Sequence, residues 1–208
     1  MKIKNRISSI LLICFGLIIM GVTSVKALYY DPQEEIPLEM VGVSFSSDDV
    51  NQNRHPKQII IPRIGVEANI EEVGITYKGN MSTPKKVSNT GWYKYGTIPG
   101  YIGSAVVDGH VDNGLGLPGV FNDLKNLYIG DDVYIVTKQG DKLHFKVTSV
   151  KSYHYDKVPK DTLFNKSDGA YLNLITCDGK WLPEKGTAER RIVVYTKLVS
   201  VESITQAS

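Results

Sequence analysis

The sequence predicts a mainly β protein: a closed or nearly closed barrel of about seven to eight strands with one or two short helices. Three observations carry that expectation. Short β-branched runs recur from Lys57 onward, Gly- and Pro-containing turns separate them, and only one stretch has helical spacing.

The runs come in order. "QIIIPRI" (58–64), "EANIEEV" (67–73), "SAVVD" (104–108), "DVYIVTK" (132–138), "KLHFKVTSV" (142–150), "YLNLIT" (171–176) and "RIVVYTKLV" (191–199) read as strands. "TKQGDK" between the fourth and fifth is a hairpin signal. "GVFNDLKNLY" (119–128) places Val120, Leu124 and Leu127 near helical spacing and is the one helix candidate.

The N-terminus has another character. Lys2, Lys4 and Arg6 precede an uncharged run from Ile7 to Val25 that contains "ILLICFGLIIMGV" and ends at Lys26. A basic flank before an apolar run means export or anchoring. A bilayer span needs about 20 apolar residues, so the length is marginal, and Val25-Lys26-Ala27 makes a poor cleavage site. "LLIC" lacks the small residues that a lipidated Cys14 would need before it. The favoured reading is an uncleaved signal-anchor over 1–27, a polar linker or arm over 28–56, a folded barrel over 57–200 and a polar tail over 201–208.

Charge agrees with that division. Four of the 24 basic residues and none of the 22 acidic ones lie in the first 26 positions, leaving 20 basic against 22 acidic, a net of −2. The formal +2 of the chain therefore belongs to the membrane flank, and a nucleic-acid surface is set aside. The chain has 2 cysteines, Cys14 within the apolar run and Cys177 in the domain expected outside the membrane. A lone thiol there is a redox liability, which raises the weight of a chemical role.

A cysteine nucleophile needs its thiolate stabilised, because a free thiol has a pKa of about 8.5. It also needs a proton donor for the leaving amine and positive charge for an oxyanion. Of the 4 histidines, His55 reads as a solvated residue of the arm and His144 as one on the wet face of its strand. His154 is a loop residue, on the surface or in a cleft. His110 ends the buried-looking run "SAVVDGH", where a scaffold presents a side chain into a cleft. For the cation, Arg190 and Arg191 are neighbours on one strand and point to opposite faces. Spacing leaves open which of them shares a groove with Cys177. Cysteine also packs well as a small hydrophobe, so a noncatalytic surface barrel that binds peptide or glycan is the competing reading.

These residues resemble a family. "LITC" followed by an arginine heading "RIVVYTKL" is similar to the Thr-Cys and arginine-strand motifs of sortases, the cysteine transpeptidases of Gram-positive surfaces. "QIIIPRIGV" resembles that family's first strand, and "TGWYKYGTIPGYIGSAVVDGHVD" the approach to its catalytic histidine. "GVFNDLKNLYIGDDVYI" resembles the stretch beyond that histidine. The likeness runs from Lys57 to Leu198 with the motifs in order.

By position, the resemblance implies His110 as the catalytic histidine, Cys177 as the nucleophile and Arg191 as the arginine, with Thr176 beside the nucleophile as a substrate contact. It implies cleavage of an LPxTG-like sorting signal between Thr and Gly, through an acyl-thioester on Cys177. The surface protein then passes to a peptidoglycan precursor amine, with no cofactor. The enzyme would sit in the cell membrane by a single N-terminal span, its catalytic domain outside. One departure is Asn173, where the family commonly has Thr. The polar C-terminus and the short span before "YLNLIT" point away from the pilus-polymerising and B classes, and "GHVDNG" followed by "GVF" leans toward classes D, E or F. Asp108, Asp112 and Asp123 fit no complete calcium loop, so no metal is expected; turn or cap roles suit them better, and Asp112 is a candidate for orienting His110. "LPEKG" (182–186) resembles a sorting signal with Lys in place of Thr and reads as a Pro/Gly loop.

Overall fold

The computed structural model describes residues 54–203 together with a two-residue strand, Ile36–Pro37. The expected signal-anchor, Cys14, most of the arm and the end of the tail lie outside the described residues. Among the described residues, no helix is long and apolar enough to cross a membrane.

Ten strands form. They are β1 (Ile36–Pro37), β2 (Pro56–Ile61), β3 (Val66–Val73), β4 (Asn80–Met81), β5 (Thr90–Tyr93), β6 (Gly103–Gly109), β7 (Asp132–Thr137), β8 (Lys142–His154), β9 (Ala170–Leu182) and β10 (Thr187–Glu202). Eight of them close a barrel in the order β10-β8-β7-β2-β3-β5-β6-β9, and β1 pairs with β4 outside it. Closure leaves the barrel no unpaired edge. The β3–β5 and β6–β9 pairs are parallel and the rest antiparallel.

Period-two alternation builds the interior. Val133 and Ile135 on β7, Leu143, Phe145 and Val147 on β8, and Leu172 and Leu174 on β9 all point inward. Trp92 and Phe121 fill the space between them. Each such side chain contributes about 1.5–3 kcal/mol by leaving water. A second apolar cluster lies on the outside of the same wall, where Val106, Ile175, Val193 and Tyr93 pack with Leu163. Leu163 comes from α1 (Lys160–Phe164), a single turn laid over the outer face. β6 is therefore buried on both faces along its whole length.

All seven expected strands form, and β7 and β8 join through the expected Gly140 hairpin. The differences have local causes. The first run stops at Ile61 because Pro62, which has no N–H to donate to a ladder, opens a 3-10 turn. β5 has no counterpart among the expected runs, being short and buried on both faces. The helix expected over 119–128 shrinks to a 3-10 turn at Leu124–Asn126. There the N–H groups of Gly119, Val120 and Phe121 donate to the carbonyls of Val111, Val87 and His110. The next N–H groups close only i→i−3 bonds, so no α-helical ladder starts.

Candidate active site

Cys177 lies two residues beyond Ile175 on β9, which puts both on the outer face of the wall, away from Leu172 and Leu174. Across the antiparallel ladder its partner is Arg191 of β10. Directly opposed residues leave a sheet on the same side. On the other side β9 runs parallel to β6, with Asp108 opposite Ile175. His110 directly follows β6, two positions beyond Asp108, as Cys177 lies two beyond Ile175. The hydroxyl of Thr176, donated to the Gly109 carbonyl at 2.7 Å, ties the two strands at the intervening position. Arg191 and Cys177 thus share one face of β10 and β9, at a strand spacing of about 4.8 Å, and His110 stands at the end of the neighbouring strand β6. They are 1%, 5% and 3% exposed, respectively.

The ladder resolves the arginine pair. Arg190 stands opposite Asp178, on the other face, and its Nε donates to Ser152 Oγ at 2.8 Å in the open. Arg191 Nη1 donates to the carbonyls of Ala188 (3.0 Å) and Arg190 (2.9 Å), and Nη2 to Thr187 Oγ1 (2.5 Å). Its Nε is buried with no hydrogen-bond partner among the described residues. A buried donor left unpaired is costly, and this one belongs to a cation on the face that carries Cys177.

His110 Nε2 lies 2.9 Å from the carbonyl oxygen of Pro84. A carbonyl only accepts, so Nε2 carries a proton, and in the neutral ring Nδ1 is the basic nitrogen. Asp112, a candidate for orienting His110, instead accepts the Gly114 N–H at 2.8 Å in a turn, and Asp123 accepts from Asn126. Among the described residues no group of three His, Cys, Asp or Glu side chains is placed to hold a metal ion.

The other histidines have structural settings. His55, expected to be solvated, is buried edge-on against Trp92 with Nδ1 3.0 Å from Glu72. His144 stacks on Tyr134 and donates to Asp132. His154 is exposed and pairs with Asp156.

Thr176 alternates with Leu174 and so faces inward, its hydroxyl spent on the Gly109 carbonyl. In this structure it locks strands rather than facing the groove. Asn173 is on the outer face and buried, and its Nδ2 donates to the Leu163 carbonyl at 2.6 Å, holding α1 down. Asp178-Gly179, which reads in sequence as the turn ending the strand, is no turn. β9 continues to Leu182, and between the pairs Arg190–Asp178 and Ala188–Trp181 it carries one extra residue. Gly179, at φ +80°, makes this bulge possible. The hairpin tip is the "LPEKG" segment, exposed from Pro183 to Gly186.

The sequence of residues 59–199 matches the model of the Sortase domain. The chain belongs to the sortase family. With that it is a cysteine transpeptidase, which decides against the noncatalytic barrel. Solved sortases share its fold. Sortase A of Listeria monocytogenes is 18% identical with a TM-score of 0.55, over 74% of this chain and 92% of that one. Sortase C1 of Streptococcus agalactiae is 22% identical at 0.54, over 71% and 70%. A sortase D5 transpeptidase of Clostridium perfringens is 22% identical at 0.52, over 70% and 79%. No curated protein matches the chain by sequence. The sortases matched in structure span A, C and D types, so they give the fold and leave the class open.

Proposed function

We propose that this sortase cleaves an LPxTG-like sorting signal between Thr and Gly and transfers the surface protein to a peptidoglycan precursor amine, with Cys177, His110 and Arg191 carrying the chemistry. The pairing of Cys177 with Arg191 on one face of β9 and β10, with His110 directly after the adjoining strand β6, supports the reading best.

The Cys177 thiolate attacks the Thr carbonyl carbon. The carbonyl oxygen becomes an oxyanion, which the guanidinium of Arg191 stabilises; its unpaired Nε–H is a ready donor for a substrate oxygen. The C–N bond breaks as the leaving Gly amine takes a proton from His110, and an acyl-thioester remains. An incoming amine then attacks the thioester, gives its proton to His110 and releases the thiolate. Thiolate and imidazolium stabilise one another, so their titration belongs to the pair. The same reading takes residues 1–27 as a signal-anchor that holds the domain on the outer side of the membrane. Incubation with a panel of sorting-signal peptides, with and without an amine acceptor, tests substrate and acceptor together.

A further inference from the structure

We propose that Glu71 is a positioning residue for His110, acting through the Pro84–Asn89 loop whose Pro84 carbonyl receives the His110 Nε2–H. This rests on the reading of His110 as the acid/base group.

Glu71 lies on β3 opposite Gly91 of β5, and Gly91 lies opposite Asp108 of β6. Glu71, Gly91 and Asp108 thus form a row on the outer wall, with Asp108 two residues before His110. Gly91 leaves a gap in it: a Cβ there would come within 2.4 Å of Asp108 Oδ1 and 3.1 Å of Pro84 Cδ. The Pro84 ring, Asp108 and Val73 all close on that gap.

The carboxylate of Glu71 holds the loop by three donors. Lys85 N–H reaches Oε2 at 3.0 Å, Lys86 N–H reaches Oε1 at 3.4 Å, and Asn89 Nδ2 reaches Oε1 at 2.8 Å. An ionised carboxylate is acceptor-only, which suits a site made of donors, and charge-assisted bonds of this kind are the stronger ones. Pro84 is bonded directly to Lys85, so fixing the Lys85 N–H fixes the peptide that carries the Pro84 carbonyl. That carbonyl sits 2.9 Å from Nε2 and keeps the proton there, so that Nδ1 is the basic nitrogen of the neutral ring. Glu71 therefore governs the orientation and tautomer of His110 without touching substrate.

The test compares the full chain with its Glu71→Ala, Glu71→Gln and Asn89→Ala variants. Two readouts are taken: steady-state turnover of an LPxTG peptide across pH, and the Nε2–H resonance of His110 in histidine-labelled protein. In Glu71→Ala, kcat is expected to fall about ten- to hundredfold, the scale of a small misplacement of a catalytic group. KM stays within about twofold, the pH profile changes shape, and the resonance is lost to solvent exchange. Glu71→Gln, with one acceptor oxygen, falls between, and Asn89→Ala gives a smaller loss of the same kind. Unchanged kcat with an unchanged resonance in Glu71→Ala overturns the proposal. So does a fall in kcat that only tracks the folded fraction while the resonance persists. If Glu71→Ala does not fold, Asn89→Ala decides by the same two readouts. If the wild type cleaves no sorting peptide, the substrate assignment fails, and the resonance alone decides whether Glu71 positions His110.

Discussion

Cys177 of β9 and Arg191 of β10 are ladder partners, and both side chains leave the barrel on its outer face. The pairing is antiparallel and the bulge at Gly179 falls beyond it, so the register at this point is undisturbed. It brings a buried cation to the thiol from the next strand of the chain, with a guanidinium already anchored at both Nη atoms.

Arg191 and Arg190 are therefore not equivalent. Arg191→Ala is expected to lower kcat/KM by about 10²–10³, the usual cost of removing one oxyanion donor. Arg191→Lys keeps charge but loses the fork and still falls at least about tenfold. Arg190→Ala stays within a few-fold, since it loses only an exposed bond to Ser152. Peptide-cleavage kinetics on the three variants separate these outcomes.

The Asn173→Thr substitution, which restores the residue common in the family, loses the bond to the Leu163 carbonyl. Leaving that buried carbonyl unpaired costs about 1–3 kcal/mol. Denaturant unfolding should show this loss while kcat stays within about twofold, because Asn173 holds α1 and lies two positions short of Ile175.

Gly91→Ala sets a methyl against Asp108, Val73 and Pro84. Overpacking of this kind costs about 1–3 kcal/mol. Displacement of Pro84 should also reduce turnover beyond what the loss of folded protein explains. Thermal melts and kinetics on the same sample give both numbers.

Glu72 makes stability depend on pH. The Lys138 ammonium holds its carboxyl below the ordinary value of 4.5; burial opposes this, and His55 adds a lesser lowering. A depressed folded pKa means stability that is present above 4.5 and lost as pH falls through the lower folded value. The carboxylate is about a third exposed, so the contribution is modest, up to about 1 kcal/mol. Glu72→Gln should be less stable than wild type at pH 7, with the gap closing on acidification below 4.5.

Much of this is legible in the sequence, for physical reasons. Half-buried strands such as β7 and β8 announce themselves by alternation, and Cys177 stands out as one of 2 cysteines in the chain. The hidden features lie where tertiary contacts override local pattern. β5 carries Gly91 where Asp108 and Pro84 need the space, and it is short and buried on both faces, so no alternation marks it as a strand. The bulge at Gly179 has the composition of a turn. His55 reads as solvated because its partners Trp92 and Glu72 are distant in sequence. Glu71 and Pro84 give no signal, since one acts through backbone N–H groups and the other through a carbonyl, and neither role leaves a motif in the chain.

The most direct test of the catalytic assignment is intact-mass spectrometry of the protein after brief incubation with an LPxTG peptide. A mass increase equal to the peptide up to its Thr is expected, mapped to Cys177 and released by hydroxylamine as a thioester. The Cys177→Ala variant should be folded, unmodified and inactive. An adduct on another residue, or peptide cleavage that persists in Cys177→Ala, would contradict it.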